Sequence, residues 1–153
     1  MNPMADQPID PALVARIEAS FAKQAMMTTL GARLVRVAPG EVEIAMPASP
    51  HLSQQHGFVH AGAVATIADS AAGYAGLTTM PAGNGILTAE FKINLLTPAT
   101  GDELIAKGKV VKAGRTLTLA MAEVFAVTDG RPKLCAMLTA TLMAIVAREG
   151  VSD

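Results

Sequence analysis

The sequence predicts an α+β domain in which one antiparallel sheet curls around a single slim, buried helix. Three observations predict it. Between His60 and about Thr79 half of the residues are Ala or Gly, and Asp69 is the only formal charge. A helix without a polar face is normally buried, and small residues let a sheet approach its backbone. Two strand-like runs precede that segment and four follow it, all joined by turn-forming residues. The chain has 153 residues, enough for one domain with a real core and too few for two ordinary ones. A sheet wrapped around the helix is the layer arrangement that hides it. The single domain is read as residues 1–153, with a first helix over about 10–27 and a core over about 30–146.

Asp10-Pro11 opens the first helix, with Asp10 as N-cap and Pro11 at the first helical position. Ile9, Leu13, Ile17 and Phe21 recur every four residues and give it one apolar stripe, to about Met27. Leu30 to Val37 and Glu41 to Met46 are strand-like, joined at the hairpin signal Ala38-Pro39-Gly40. Pro47 to Val59 has no period and reads as a loop. The buried helix follows and is ended by Pro81-Ala82-Gly83-Asn84-Gly85. Four extended runs come next: Ile86 to Leu96, Asp102 to Lys112, Thr116 to Val127 and Lys133 to Val146. Their short separators predict antiparallel neighbours. The tail from Arg148 to Asp153 is expected to fray.

Composition excludes several partners. Twelve basic and 13 acidic residues give a formal net charge of -1, which does not attract a nucleic acid. Only 16% of residues are charged and 51% are hydrophobic, so much apolar surface is left for an oligomer to cover. Met1 to Asp6 has neither a basic start nor an apolar core, so no signal peptide is expected. The longest strongly apolar run, Leu134 to Ala147, has 14 residues, short of the roughly 20 that cross a bilayer. Cys135 is the only cysteine, so no intrachain disulfide forms. The expectation is a soluble, cytoplasmic chain with no membrane partner.

Familiar catalytic engines are missing: there is no G-x-S-x-G elbow, no Walker A sequence and no complete dinucleotide loop. Cys135 reads as a small buried hydrophobe. His51, His56 and His60 cluster as metal ligands do, but they lie mostly in a loop without H-E-x-x-H or a nearby cysteine, and no metal is expected. Asp69 needs more explanation, because a carboxylate on such a helix is costly to bury unless paired or used. It is either a structural acceptor or a base or nucleophile in a dry cleft. The start of the same helix, His60-Ala61-Gly62, offers backbone amides without internal partners, suited to holding the oxygen of a polarised carbonyl. Ala61 and Asp69 are eight residues apart, about 12 Å along a helix. Donor and attacking group around one carbon lie only about 6 Å apart. Two antiparallel copies would span the site better, so a composite site at a twofold interface is expected.

At these residues the sequence resembles the hotdog-fold thioesterases of the phenylacetate-degradation (PaaI-like) family. Their mark is H-G-G followed seven residues later by an acidic residue, here His60-Ala61-Gly62 through Asp69. The resemblance runs over roughly Leu30 to Val146. It includes Gln54, six residues before the histidine, the strand Thr88 to Thr97 ending at Pro98, and the basic hairpin Val111 to Leu117. It implies a hotdog fold and hydrolysis of an aryl- or short- to medium-chain acyl-CoA to carboxylate and coenzyme A, without metal or other cofactor. Asp69 would be base or nucleophile, the Ala61 amide beside Gly62 would polarise the carbonyl, Gln54 would position the carbonyl or the water, and Thr88 would orient that water. Ala61 departs from the usual glycine, and its methyl narrows the approach.

Lys107, Lys109, Lys112 and Arg115 form a basic set on one hairpin. Lys112 and Arg115, beside the Gly114 turn, are the expected contacts to the coenzyme A phosphates. The oligomer is expected to be a homodimer or a dimer of dimers (a homotetramer). Rival readings are a hotdog hydratase or dehydratase, pairing His56 or His60 with Asp69, and a non-catalytic acyl-CoA-binding protein. The acyl group, and the choice between nucleophile and base for Asp69, stay open.

Overall fold

The computed structural model describes residues 9–146 and 149–150. The expectation for Met1 to Asp6, and most of that for the tail, lie outside the described residues. Helix α1 spans Pro11–Ala22; the Asp10 side chain accepts from the Ala12 amide at 2.9 Å, as its capping role requires. Ile17 is fully buried, and Leu13, Val14 and Phe21 pack against the core beside it. The helix expected to reach residue 27 is two helices. Lys23 caps α1, Gln24 turns extended, and α2 (Ala25–Leu30) starts on a new axis that buries Met27 and Leu30. Gly31 ends α2 in the left-handed conformation, at φ 65°, where glycine costs least. The first strand therefore begins at Arg33 instead of Leu30.

Strands β1 (Arg33–Ala38) and β2 (Glu41–Pro47) form the expected hairpin around Pro39 and Gly40. A 3₁₀ turn at Pro50–Leu52 lies in the loop, and α3 (Ala61–Leu77) follows. Then come β3 (Gly85–Leu95), β4 (Glu103–Lys112), β5 (Leu117–Thr128) and β6 (Arg131–Ile145). All pairings are antiparallel, in the spatial order β1-β2-β4-β5-β6-β3. The turn between β5 and β6 is the dipeptide Asp129-Gly130, with φ 50° and 73°, the pair of positive angles that an Asp-Gly hairpin turn adopts.

One pairing corrects the expectation. β3 and β4 are joined by only residues 96–102 yet are not neighbours; β3 pairs with β6 instead. Three strand spacings of about 4.8 Å separate them, which seven residues at about 3.3 Å each span easily. The link crosses below α3, where the Val59 amide donates to Ala99 O at 3.0 Å.

The sheet wraps α3 as predicted, in the hotdog arrangement. Val64, Ile67, Ala68, Ala71, Ala72 and Ala75 of the helix are buried, against Val42 and Ile44 of β2, Leu104 and Ala106 of β4, and Leu138 and Leu142 of β6. Each fully buried Val, Ile or Leu contributes about 1.5–3 kcal/mol. Helix and sheet approach closely at Gly108, where a Cβ would stand 2.1 Å from the Ala71 carbonyl oxygen. The two edges differ. At β1, Arg33 pairs with Glu103 and Arg36 with Glu41. On β3, Leu87, Phe91 and Leu95 are 49%, 44% and 55% exposed. A long apolar edge strand with unpaired amides is a template for another chain.

Candidate active site

Asp69 lies midway along α3 and faces β3. The Thr88 hydroxyl donates to its Oδ1 at 2.8 Å, and Oδ2 has no protein partner among the described residues. Burial raises the Asp69 pKa above the ordinary carboxylate range, and the Thr88 hydrogen bond partly opposes this. The carboxylate lines a cleft of about 490 Å³ between α3, the start of β3 and the α1–α2 junction. Thr88 was expected to orient water; it holds the carboxylate itself.

The other predicted residues gather in a second cleft, of about 520 Å³, at the opposite end of α3. Gln54, His60 and Ala61 line it with Phe58, Val64, Leu95 and Cys135. His60 is the N-cap of α3, and its Nδ1 accepts from the Gly62 amide at 2.8 Å. That bond occupies the Gly62 donor. The Ala61 amide donates to no acceptor among the described residues and is the open one of the pair. Ala61 stands at the first helical position and needs no positive φ, so its methyl costs the backbone nothing that glycine would save. Gln54 is held in the loop: its Oε1 accepts from the His56 amide and its own amide donates to Phe58 O at 2.8 Å. The Gln54 Nε2 is left to reach a ligand. Cys135 is buried, and burial raises its thiol pKa.

Asp69 and the Ala61 amide thus stand in different clefts of one chain, as the helix length required. His60 is tied to its cap and shares no cleft with Asp69, and His56 is exposed in the loop; the acid/base pair of a hydratase is not assembled within one protomer. Among the described residues no three His, Cys, Asp or Glu side chains group as metal ligands do. None of the helices described is long and apolar enough to cross a membrane.

Of the basic set, Lys107 and Lys109 lie 3.6 and 3.7 Å from Glu43 and Glu41. Lys112 and Arg115 are exposed and make no ion pair among the described residues. Sequence reasoning missed the residues that close the Asp69 cleft from the N-terminal side, Ser20, Lys23 and Gln24. No local pattern marks them, because they arrive there through the break between α1 and α2.

Residues 56–133, just over half of the chain, match the thioesterase superfamily. A Halobacterium salinarum protein with a provisional esterase name is 30% identical over 120 residues, covering 75% of this chain and 79% of its own. Among solved structures, a thioesterase family protein from Silicibacter pomeroyi is 48% identical, with a TM-score of 0.86 over 88% of this chain and 98% of its own. The PaaI protein of E. coli, from the phenylacetic acid degradation operon, is similar in fold: 20% identity and a TM-score of 0.79, over 95% of this chain and 99% of its own.

Proposed function

The chain belongs to the thioesterase superfamily and is a thioester hydrolase; from that premise we propose that it hydrolyses an acyl-CoA in the cytoplasm, at a site completed by two copies. One observation carries the reading: a carboxylate with a raised pKa midway along α3 and an open amide at the start of the same helix stand in different clefts. The cleft with Asp69 flanks the start of β3 and the cleft with Ala61 flanks its end. If two β3 edges pair antiparallel about a twofold axis, the end of one strand lies beside the start of the other. The Ala61 amide of one copy then approaches Asp69 of its partner. The exposed Phe91 and Leu95 side chains support that pairing, since burying them removes apolar area from water.

In this site the thioester oxygen accepts from the Ala61 amide, with Gln54 Nε2 as a second donor. Asp69 Oδ2 takes a proton from a water as that water's oxygen attacks the carbonyl carbon. Negative charge collects on the former carbonyl oxygen, where the amide stabilises it most. The C–S bond then breaks, and the thiolate leaves and takes up a proton. Thr88 keeps the base aligned, and its raised pKa brings Asp69 closer to working pH. Lys112 and Arg115 hold the coenzyme A phosphates. The acyl group falls among aryl and short to medium chains, as the phenylacetate link of the E. coli structure suggests. A dimer is the minimum assembly, and a dimer of dimers would cover the outer sheet face, where Leu117, Leu119 and Met143 are exposed.

The test is free-thiol release from aryl- and alkyl-CoA thioesters, wild type beside Asp69→Asn. Turnover in wild type and near-complete loss in the folded variant are expected. Equal release by both proteins would remove Asp69 from the mechanism. Acyl-CoA binding without any release would favour a binding protein.

A further inference from the structure

The link from α3 to β3 is held by a residue that the mechanism has not used. Arg16 stands on α1, half-buried, and reaches across residues 78–84. Its Nη1 donates to Met80 O at 3.1 Å and its Nη2 to Asn84 O at 2.8 Å, while its Nε is buried without a partner. No ion pair among the described residues includes it. An arginine that only covered apolar surface would bury its stem and leave its head in water. Here the head is drawn in and spans two carbonyls, which the rigid fork of a guanidinium can do and a compact ammonium cannot. Without that bridge the link has little to fix it: the Asn84 amide reaches Pro81 O at 3.3 Å, and Gly83 turns at φ 83°. Ile17, the next residue of α1, is fully buried, so the base of the clamp is anchored in the core.

We propose that Arg16 is a positioning residue for the hydrolysis, clamping the α3–β3 link so that Thr88 stays against Asp69. The inference rests on the reading of Asp69 as the base and adds a residue to it. Asp69 lies eight residues before Leu77, the end of α3, or about 12 Å of helix. Thr88 lies four residues after Asn84, or about 13 Å of strand. The clamp therefore sits at the apex of two arms, and Asp69 and Thr88 meet across their far ends at 2.8 Å. A change of about 5° between arms of about 13 Å shifts one end by about 1 Å, enough to take that contact beyond hydrogen-bond range. The start of β3 is free to respond. An irregularity between Thr88 and Glu90 interrupts its ladder to β6, and its other edge has no partner strand within the chain. Arg16 lines neither cleft, so it acts through Thr88 and not on the substrate.

The test is thiol release across pH by Arg16→Met, Thr88→Val and the double variant, beside wild type and Asp69→Asn. The substrate is the member of the aryl- and alkyl-CoA panel that wild type cleaves fastest. Arg16→Met is expected to lower kcat about tenfold, the scale of one lost hydrogen bond, with KM held within about twofold. Its acid limb moves to higher pH, the direction of Thr88→Val. Both changes remove the same contact, so the double variant should lie within about twofold of Thr88→Val alone. Arg16→Lys keeps the charge and reaches one carbonyl at a time, so it should fall between wild type and Arg16→Met. It also carries the whole comparison if the Met variant fails to fold. A clamp that serves only stability lowers Tm and leaves kcat and the acid limb in place. That result overturns the inference and leaves the hydrolase reading intact, as does a double variant whose losses multiply. Asp69→Asn as active as wild type, or no thiol release from any substrate, would overturn the reading beneath it, and the inference with it.

Discussion

Ala61→Pro is the sharpest perturbation the site allows. Proline fits the first turn of a helix because the amide it removes has no helical partner. His60 before it is already extended, at φ -61° and ψ 137°, the conformation that a following proline favours. Since the Ala61 amide donates to nothing among the described residues, the fold loses no hydrogen bond, and the melting temperature should hardly move. Catalysis loses an oxyanion donor, which costs about 3–4 kcal/mol, or about 10²- to 10³-fold in kcat. Mixing then asks where the site lies. In a dimer of one Asp69→Asn and one Ala61→Pro subunit, one composite site carries both lesions and the other carries neither. Random assortment of equal amounts makes half of the dimers mixed, so about a quarter of wild-type activity returns. The assay is thiol release from protein co-expressed with two different tags, measured beside each parent. If the co-expressed protein is no more active than the parents, each site lies within one chain and the composite reasoning is refuted.

Four further outcomes follow from the same structure. Burial holds Asp69 protonated to a higher pH than an unfolded chain would, so its contribution to stability is full below the unfolded pKa and is lost as pH rises through the folded one; Asp69→Asn should therefore melt above wild type at neutral pH, and scanning calorimetry checks the sign. The same shift places the acid limb of the wild-type kcat/KM profile above the ordinary carboxylate range, and Thr88→Val, which removes the opposing hydrogen bond, should move the limb higher still. Lys112→Glu with Arg115→Glu should raise KM for a coenzyme A thioester about tenfold and flatten its salt dependence, while leaving the KM for an N-acetylcysteamine thioester unaltered. Gly108→Ala should cost about 3 kcal/mol or more by denaturant melting, because the methyl meets helix backbone that has nowhere to move.

What could be read from the sequence was local. Asp10 before a proline, Pro39-Gly40 and Asp129-Gly130 each fix the backbone within four residues, and each appears where expected. Asp69 stood out because nothing else on its helix is charged. What escaped depends on partners far along the chain. Lys23 and Gln24 break the first helix without glycine or proline, and the contact that settles Gln24 comes from Tyr74, 50 residues away. The pairing of β3 with β6 is similarly non-local, and the irregularity between Thr88 and Glu90 interrupts the alternation that would have shown its register. His60 read as a possible acid or base; capping Gly62 needs its Nδ1 to be an acceptor, which only the local geometry reveals. Gly108 was legible in principle, since an isolated glycine inside a strand marks a close backbone approach.

That glycine and the carboxylate belong to one piece of geometry. An α-helix turns about 100° per residue, so Asp69, two residues before Ala71, points about 200° away from it. Ala71 is the residue whose carbonyl meets Gly108 of β4. Drawing that side of α3 onto the sheet turns Asp69 toward the thinly covered β3 edge, where Thr88 receives it. A bulkier residue at 108 would lift the helix and tilt the carboxylate off Thr88. The small residues of α3 are therefore more than filler: they let one flank press on β4, so that the other flank opens a cleft beside an edge strand still short of a partner. On the proposed reading, an active site divided between two copies follows from packing a slim helix off-centre in a sheet that ends too soon.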